Sequence, residues 1–84
     1  MLYRILTENK NFKEVTGKAN GLFPDGFTVL QANGYWHGER EHSLVIEILT
    51  QDEKAVEKLA FWIKKHNKQQ TVMIQIIHAD CQLV

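Results

Sequence analysis

The centre of the sequence holds the feature that most constrains the fold, two strand-like runs separated by only four residues. The runs are residues 27–37 and 42–49, and Gly38-Glu39-Arg40-Glu41 lies between them. Both runs are rich in β-formers and aliphatic residues, and so short a separation is typical of a β-hairpin. The pattern predicts an antiparallel strand pair around which the other elements must be arranged.

A strand and a helix are predicted before the hairpin. Residues 2–7 form a short apolar run that ends in a polar stretch, which indicates a first strand. Residues 9–20 carry apolar side chains at helical spacing, with Leu22 and Phe23 extending the stripe, and predict a first helix. Pro24-Asp25-Gly26 has the composition of a turn, because proline presets one dihedral angle and glycine admits a positive φ.

A second helix and a last strand are predicted after the hairpin. Thr50 and Glu53 have the spacing of a capping box, in which each side chain satisfies a free backbone N–H at a helix start. The predicted helix ends at Asn67, and it has one apolar face (Val56, Leu59, Ala60, Ile63). Residues 71–78 alternate like a strand, and 79–84 form a tail or a short edge extension.

The order of these elements indicates one fold. Strand, helix, hairpin, helix and strand make the β-α-β-β-α-β order of the ferredoxin-like α+β fold, with two helices on one face of a four-stranded antiparallel sheet. The 84 residues leave room for one core only. We therefore expect a single ferredoxin-like domain over residues 1–84.

Alternation along the strands predicts which side chains face the helices. With Trp36 paired to Leu44, the core side would hold Leu44, Ile46, Ile48, Val72, Ile74 and Ile76. The other, open face would carry Val45, Glu47, Leu49, Thr71, Met73, Gln75 and Ile77, together with Phe27, Val29, Gln31, Asn33 and Tyr35. A monomer rarely exposes so many large apolar groups together, so we interpret the open face as an interface between subunits.

The polar hairpin is the predicted ligand site. It gathers aromatic, imidazole and carboxylate groups, and the predicted ligand-binding residues are Tyr35, Trp36, His37, Glu39, Glu41 and His42. Imidazole and carboxylate groups are metal ligands, so His37 and His42 are also candidates for a metal site. The alternative is a charged hairpin tip that is simply solvated.

Other functional classes find less support in the sequence. His78, Asp80 and Cys81 could cluster near the end of the last strand, but a surface histidine and a small thiol explain them equally well. No phosphate-binding glycine loop, nucleophile elbow or paired-cysteine zinc motif is found, no catalytic residue is assigned and no particular cofactor is indicated.

Composition bears on partners and location. Ten basic and ten acidic residues balance, so the net charge is zero and no global field favours nucleic acid or a membrane surface. The single cysteine cannot form an internal disulfide, and the first residues are not a secretory or membrane segment. Both observations favour a cytoplasmic location.

The hairpin also resembles a known group of proteins. Tyr35-Trp36-His37-Gly38-Glu39 followed by Ser43-Leu44-Val45-Ile46-Glu47-Ile48 looks like the central hairpin of PII-like and CutA-like proteins. The likeness continues loosely through the second helix and the last strand. The resemblance implies a trimer whose open sheet faces meet at the centre, with small ligands or metals in clefts between subunits.

The sequence departs from both groups. The loop after Gly38 is much shorter than the effector-contacting loop of PII signalling proteins. The proline-containing motif expected after the second helix of CutA-like proteins is missing. These departures argue against classical nitrogen signalling and against a copper-related function.

Three functions remain open from the sequence. The first is an oligomeric, non-enzymatic module of PII-like type that binds a small molecule or anion, with a trimer favoured over a dimer. The second is a small dimeric enzyme with His37 or His78 as acid or base in a cavity. The third is a structural, protein-binding domain.

Overall fold

The computed structural model describes all 84 residues, and its elements follow the predicted order. They are, in chain order, strand β1 (Leu2–Glu8), helix α1 (Phe12–Leu22), strands β2 (Thr28–Trp36) and β3 (Glu39–Leu49), helix α2 (Glu53–His66) and strand β4 (Met73–Ile77). The strands form one antiparallel sheet in the order β2-β3-β1-β4. The predicted ferredoxin-like α+β fold is confirmed. Neither helix is long and apolar enough to cross a membrane.

The core lies between one face of the sheet and the two helices. Every second residue of β1 is buried, as alternation along a strand requires. The predicted core residues of β3 and the predicted apolar face of α2 are all buried, which confirms both. The core consists of Tyr3, Ile5, Val15, Ala19, Phe23, Leu44, Ile46, Ile48, Val56, Leu59, Ala60 and Ile63.

The hairpin turn is shorter than predicted. It consists of His37 and Gly38, whose φ angles are 52° and 80°. Positive φ at both central residues defines the tight turn whose twist matches that of the flanking strands. Strand β3 consequently begins at Glu39, which pairs with Trp36. The predicted four-residue loop was wrong because its charged residues pair with β2 instead of forming a loop.

The shorter turn changes the register between β2 and β3. Leu44 lies opposite Gln31, five positions before the predicted partner Trp36. A shift by an odd number of residues moves every side chain of a strand to the other face. The predicted facing of β2 was therefore wrong: Phe27, Val29, Gln31, Asn33 and Tyr35 lie on the helix side, and Thr28, Leu30, Ala32, Gly34 and Trp36 lie on the open face.

The start of α2 also differs from the prediction. Asp52 is the N-cap, and its Oδ1 accepts a hydrogen bond of 3.0 Å from the backbone N–H of Ala55. Thr50 instead accepts a 3.1 Å bond at its Oγ1 from the N–H of Asp52. The predicted capping box between Thr50 and Glu53 was wrong, since a carboxylate closer to the helix takes that role. The predicted end at Asn67 is confirmed.

The open face of the sheet remains rich in apolar side chains. Leu30, Leu49 and Met73 are 49%, 55% and 56% exposed. One ion pair crosses the face, in which Arg4 donates from Nε and Nη2 to Glu47 Oε2 at 2.9 and 2.7 Å. The β2 residues on this face therefore differ from the predicted ones, but the face is still largely apolar.

Candidate functional site

A depression of about 600 Å³ lies where the open face meets one end of the sheet. Three segments form its walls: the end of β1, the base of the hairpin and the connection from α2 to β4. Antiparallel pairing brings these segments together, because β1 ends, and β4 begins, at the sheet end that carries the hairpin turn. The lining residues are Leu6, Thr7, Glu8, Gly34, Tyr35, Trp36, Glu41, Ser43, Lys68, Gln69, Gln70, Thr71 and Met73.

The hairpin base contributes an aromatic side chain and a carboxylate from the open face, Trp36 and Glu41, while Tyr35 borders the depression from a strand position that faces the helix side. Tyr35 and Trp36 are 72% and 69% exposed, and Glu41 lies opposite Gly34 in the strand pair. Trp36 also contacts His37 edge to face, with ring centroids 4.9 Å apart. A large aromatic ring held at the rim of a depression, as Trp36 is, can stack on a planar ligand.

Gly34 leaves room on the floor of the depression. A Cβ atom at this position would lie 2.6 Å from Ser43 Oγ, which is closer than real side chains approach. The glycine therefore lets the hydroxyl of Ser43 lie over β2 beside Glu41. A hydroxyl and a carboxylate together give this wall hydrogen-bonding capacity.

The connection from α2 to β4 places a lysine at the depression. The backbone N–H of Lys68 donates to Lys65 O at 3.2 Å, and that of Gln69 donates to Lys64 O at 2.9 Å. These two bonds form a Schellman motif, which ends a helix with one residue in the left-handed conformation. Lys68 occupies that position with φ 55°, where glycine is usual. This strained position supplies the cationic residue Lys68 to the lining of the depression.

A chain of side-chain hydrogen bonds holds this connection against the rest of the fold. Thr7 Oγ1 and Asn67 Nδ2 both donate to Gln69 Oε1, at 2.8 and 2.9 Å. Asn11 Nδ2 donates to Asn67 Oδ1 at 2.8 Å, and Gln69 Nε2 donates to Thr71 O at 3.2 Å. Thr7 and Asn67 are buried, and no buried side-chain polar atom lacks a partner. The network fixes the wall that carries Lys68.

The structure brings together only part of the predicted ligand-binding set. Tyr35, Trp36 and Glu41 line the depression, whereas His37, Glu39 and His42 do not. His37 lies in the turn, and His42 pairs with Asn33 on the helix side of the sheet. No group of three or more histidine, cysteine, aspartate or glutamate side chains is arranged to hold a metal ion. The metal site at His37 and His42 remains a prediction.

Sequence reasoning missed the third wall of the site. The run Asn67-Lys68-Gln69-Gln70-Thr71 is polar throughout and lies between a helix and a strand. That composition, together with the antiparallel order of the strands, was enough to place it beside the hairpin base. The left-handed conformation of Lys68 was not predictable, since the residue that adopts it after the end of a helix is usually glycine.

The other predicted cluster lies elsewhere. His78, Asp80 and Cys81 follow β4 in a segment without regular secondary structure, and all three are exposed.

The chain resembles known proteins in its fold and not in its sequence. No protein-family model matches the chain. No curated protein matches its sequence. Solved structures do match the fold, with sequence identities low enough that the likeness concerns the fold alone.

Three of the matching structures illustrate the range of proteins with this fold. A phage SAM lyase in its apo state is 16% identical, with a TM-score of 0.66, over 87% of this chain and 75% of that one. The nitrogen regulatory PII-like protein CPII from Thiomonas intermedia K12, bound to ADP, AMP and bicarbonate, is 14% identical, with a TM-score of 0.65, over 98% and 93%. A CutA1 from Pyrococcus horikoshii OT3 is 21% identical, with a TM-score of 0.53, over 99% and 87%. The predicted resemblance to PII-like and CutA-like proteins is confirmed at the level of the fold.

Proposed function

We propose that this protein is a non-enzymatic, oligomeric module that binds a small ligand in the depression between the hairpin base and the α2–β4 connection. The observation that carries the proposal is the combination of an exposed aromatic ring, Trp36, on one wall with a cation, Lys68, held in a strained conformation on the other. Strained backbone persists only where the surrounding structure imposes it, and it is concentrated at functional sites.

The chemistry of the walls suggests the class of ligand. Trp36 can stack on a planar ring, and Lys68 can form a charge-assisted hydrogen bond with an anionic group. A small molecule that combines a planar ring with an anion fits both. The PII-like protein CPII binds ADP and AMP on the same fold, which makes adenine nucleotides and bicarbonate the first probes to test.

The assembly is the second part of the proposal. The open face, with Leu30, Leu49 and Met73 exposed, borders the depression. Packing three copies through these faces would cover the apolar side chains and turn each open depression into a cleft between subunits. Burial between subunits would raise affinity, since small-molecule sites are concave and enclose most of their ligand.

The enzymatic alternative receives less support from the geometry. An acid or base needs to lie in the cavity where the reaction takes place. Neither this depression nor the second one, beside α2, is lined by a histidine. The fold of the phage SAM lyase does not alter this, because that likeness carries no site residues.

Ligand binding can be measured through the tryptophan at the site. The chain has two tryptophans, so a Trp62→Phe background leaves the fluorescence of Trp36 alone. We expect ADP or AMP to change this fluorescence saturably. Lys68→Asn keeps a residue that tolerates the left-handed conformation and removes the cation, so it should weaken binding by about tenfold or more.

The control removes an equal charge from the exposed surface of α2. Lys58→Asn lies outside the depression and should leave the affinity unchanged. If Lys68→Asn bound the nucleotides as tightly as the Lys58→Asn control, the depression would not be their site. Absence of binding for ADP, AMP and bicarbonate alike at millimolar concentration would remove the proposed ligand class.

A further inference from the structure

The edge of the sheet at β4 lacks the usual protection of an edge strand. Its residues are Met73, Ile74, Gln75, Ile76 and Ile77, with no charge and no proline among them. One side of β4 pairs with β1, and the other side has no neighbouring strand. Native proteins normally protect such an edge with charges, prolines, bulges or a covering segment, because unpaired backbone groups attract another strand.

An apolar groove runs beside this edge. It has a volume of about 240 Å³, lies between α2 and β4, and is lined by Ala60, Phe61, Lys64, Gln70, Thr71, Val72 and Ile74. Phe61 is 63% exposed and Ile76, farther along β4 on the same side of the sheet, is 52% exposed. Large apolar side chains beside an open strand edge indicate a site for a strand that brings apolar side chains of its own.

Residues 78–84 have the complementary properties. They follow β4 without regular secondary structure, and all are exposed, with Leu83 fully so. Cys81-Gln82-Leu83-Val84 contains no charge, and Cys81 and Leu83 would share one face of a strand. An uncharged segment with two apolar residues on one face matches an edge with a groove on one side.

We propose that residues 81–84 of one copy add as a fifth strand to the β4 edge of a second copy, with Leu83 in the groove beside Phe61. In antiparallel pairing with Leu83 opposite Ile74, Cys81 lies opposite Ile76. Gln82 then lies opposite Gln75 and Val84 opposite Met73, on the open face. The added strand would continue the apolar open face, so the contact is continuous with the assembly surface proposed above.

Residues 81–84 do not pair with β4 of their own chain. Reversal onto β4 of the same chain would need a turn directly after Ile77, and residues 78–80 form no turn. Four paired residues bury less than the roughly 1,000 Å² of a specific interface. The added strand therefore supplements the open-face contact and does not replace it. This strand addition goes beyond ligand binding and does not depend on it.

Disulfide formation between two distinguishable chains tests the contact. One chain is the native protein, whose only thiol is Cys81. The other carries Ile76→Cys and Cys81→Ser, together with a tag that changes its mass. A mixed disulfide between them is necessarily intermolecular, and residues directly opposite across a strand pair lie close enough to form one. Cys81 is exposed and Ile76 is half exposed, so we expect these substitutions to leave the fold intact.

The matched control moves the new thiol by one residue. Gln75→Cys with Cys81→Ser points to the opposite face, so it should give several-fold less mixed disulfide under the same mild oxidation. Leu83→Asp in the native partner should reduce the Ile76→Cys product to the level of this control. Equal yields from the two positions, no mixed disulfide at all, or no effect of Leu83→Asp would each overturn the proposal.

The readout separates this proposal from the proposed function. Cross-linking is measured without nucleotide, and nucleotide binding is measured without oxidation. If Lys68→Asn loses nucleotide binding but still forms the mixed disulfide, both proposals are supported. If a chain binds nucleotide normally but forms no mixed disulfide, only the strand addition is overturned.

Discussion

Tyr3 is the residue whose ionisation is most affected by the fold. Burial raises the pKa of its phenol, and the nearby carboxylates of Glu53 and then Glu57 raise that pKa further. The unfolded chain loses this proton at about pH 10, before the folded chain does. The stability that Tyr3 contributes is therefore fully present below about pH 10 and is lost as the pH rises through the higher pKa of the folded state.

Replacement of the phenol should show this effect directly. We expect Tyr3→Phe to lose less stability between pH 8 and pH 11 than the native chain, measured as the free energy of unfolding in urea. The matched control is Tyr35→Phe, which removes the hydroxyl of an exposed tyrosine and should follow the native profile. An identical alkaline loss in native and Tyr3→Phe chains would show that another group controls it.

The hydrogen-bond network tests how the elements are joined. Asn67 connects the end of α2 to Asn11 at the start of α1 and to Gln69 in the next segment. Asn67→Ala leaves a donor on Asn11 and part of the acceptor capacity of Gln69 without partners, and should cost about 1–3 kcal/mol of unfolding free energy. Asn20→Ala, an exposed position on α1, should change stability by no more than about 0.5 kcal/mol in the same urea titration.

A loss near zero in Asn67→Ala would mean that water replaces the amide without penalty. In that case the connection carrying Lys68 would not be fixed by the network, and the argument for a preformed wall at the depression would fail.

The elements also show how far sequence reasoning reaches. Hydrophobic periodicity gave the order of all six elements and the buried face of α2, because core packing requires those patterns. It failed at β2, where Phe27 to Tyr35 were assigned to the wrong face. His37-Gly38 can form a two-residue turn, but the charged residues that follow it are equally typical of a longer loop. The difference of five residues in register moves every side chain of β2 to the other face of the sheet. The hairpin residues of the site were thus found, while their facing was not.

The facing of β2 matters most for the molecule as a whole, because it decides which residues cover the open face. In the structure Leu30 lies on that face, opposite Val45, and Gln31 lies on the helix side. A lysine at position 30 would place a charge within the proposed interface, where it would have to be desolvated without a partner. The neighbouring position offers a control of the same charge on the other face.

The masses of three proteins in solution therefore test the assembly. We expect the native chain to scatter light as a trimer, about three times the 9.8 kDa of one chain, and to melt at a temperature that rises with protein concentration. Leu30→Lys should reduce the mass to that of one chain at the same concentration, whereas Gln31→Lys should leave the trimer intact. A dimer would retain the open face as an interface but exclude the threefold arrangement. A native chain that stays monomeric at every concentration would instead make the open face a surface for a different protein, as expected of a structural, protein-binding domain.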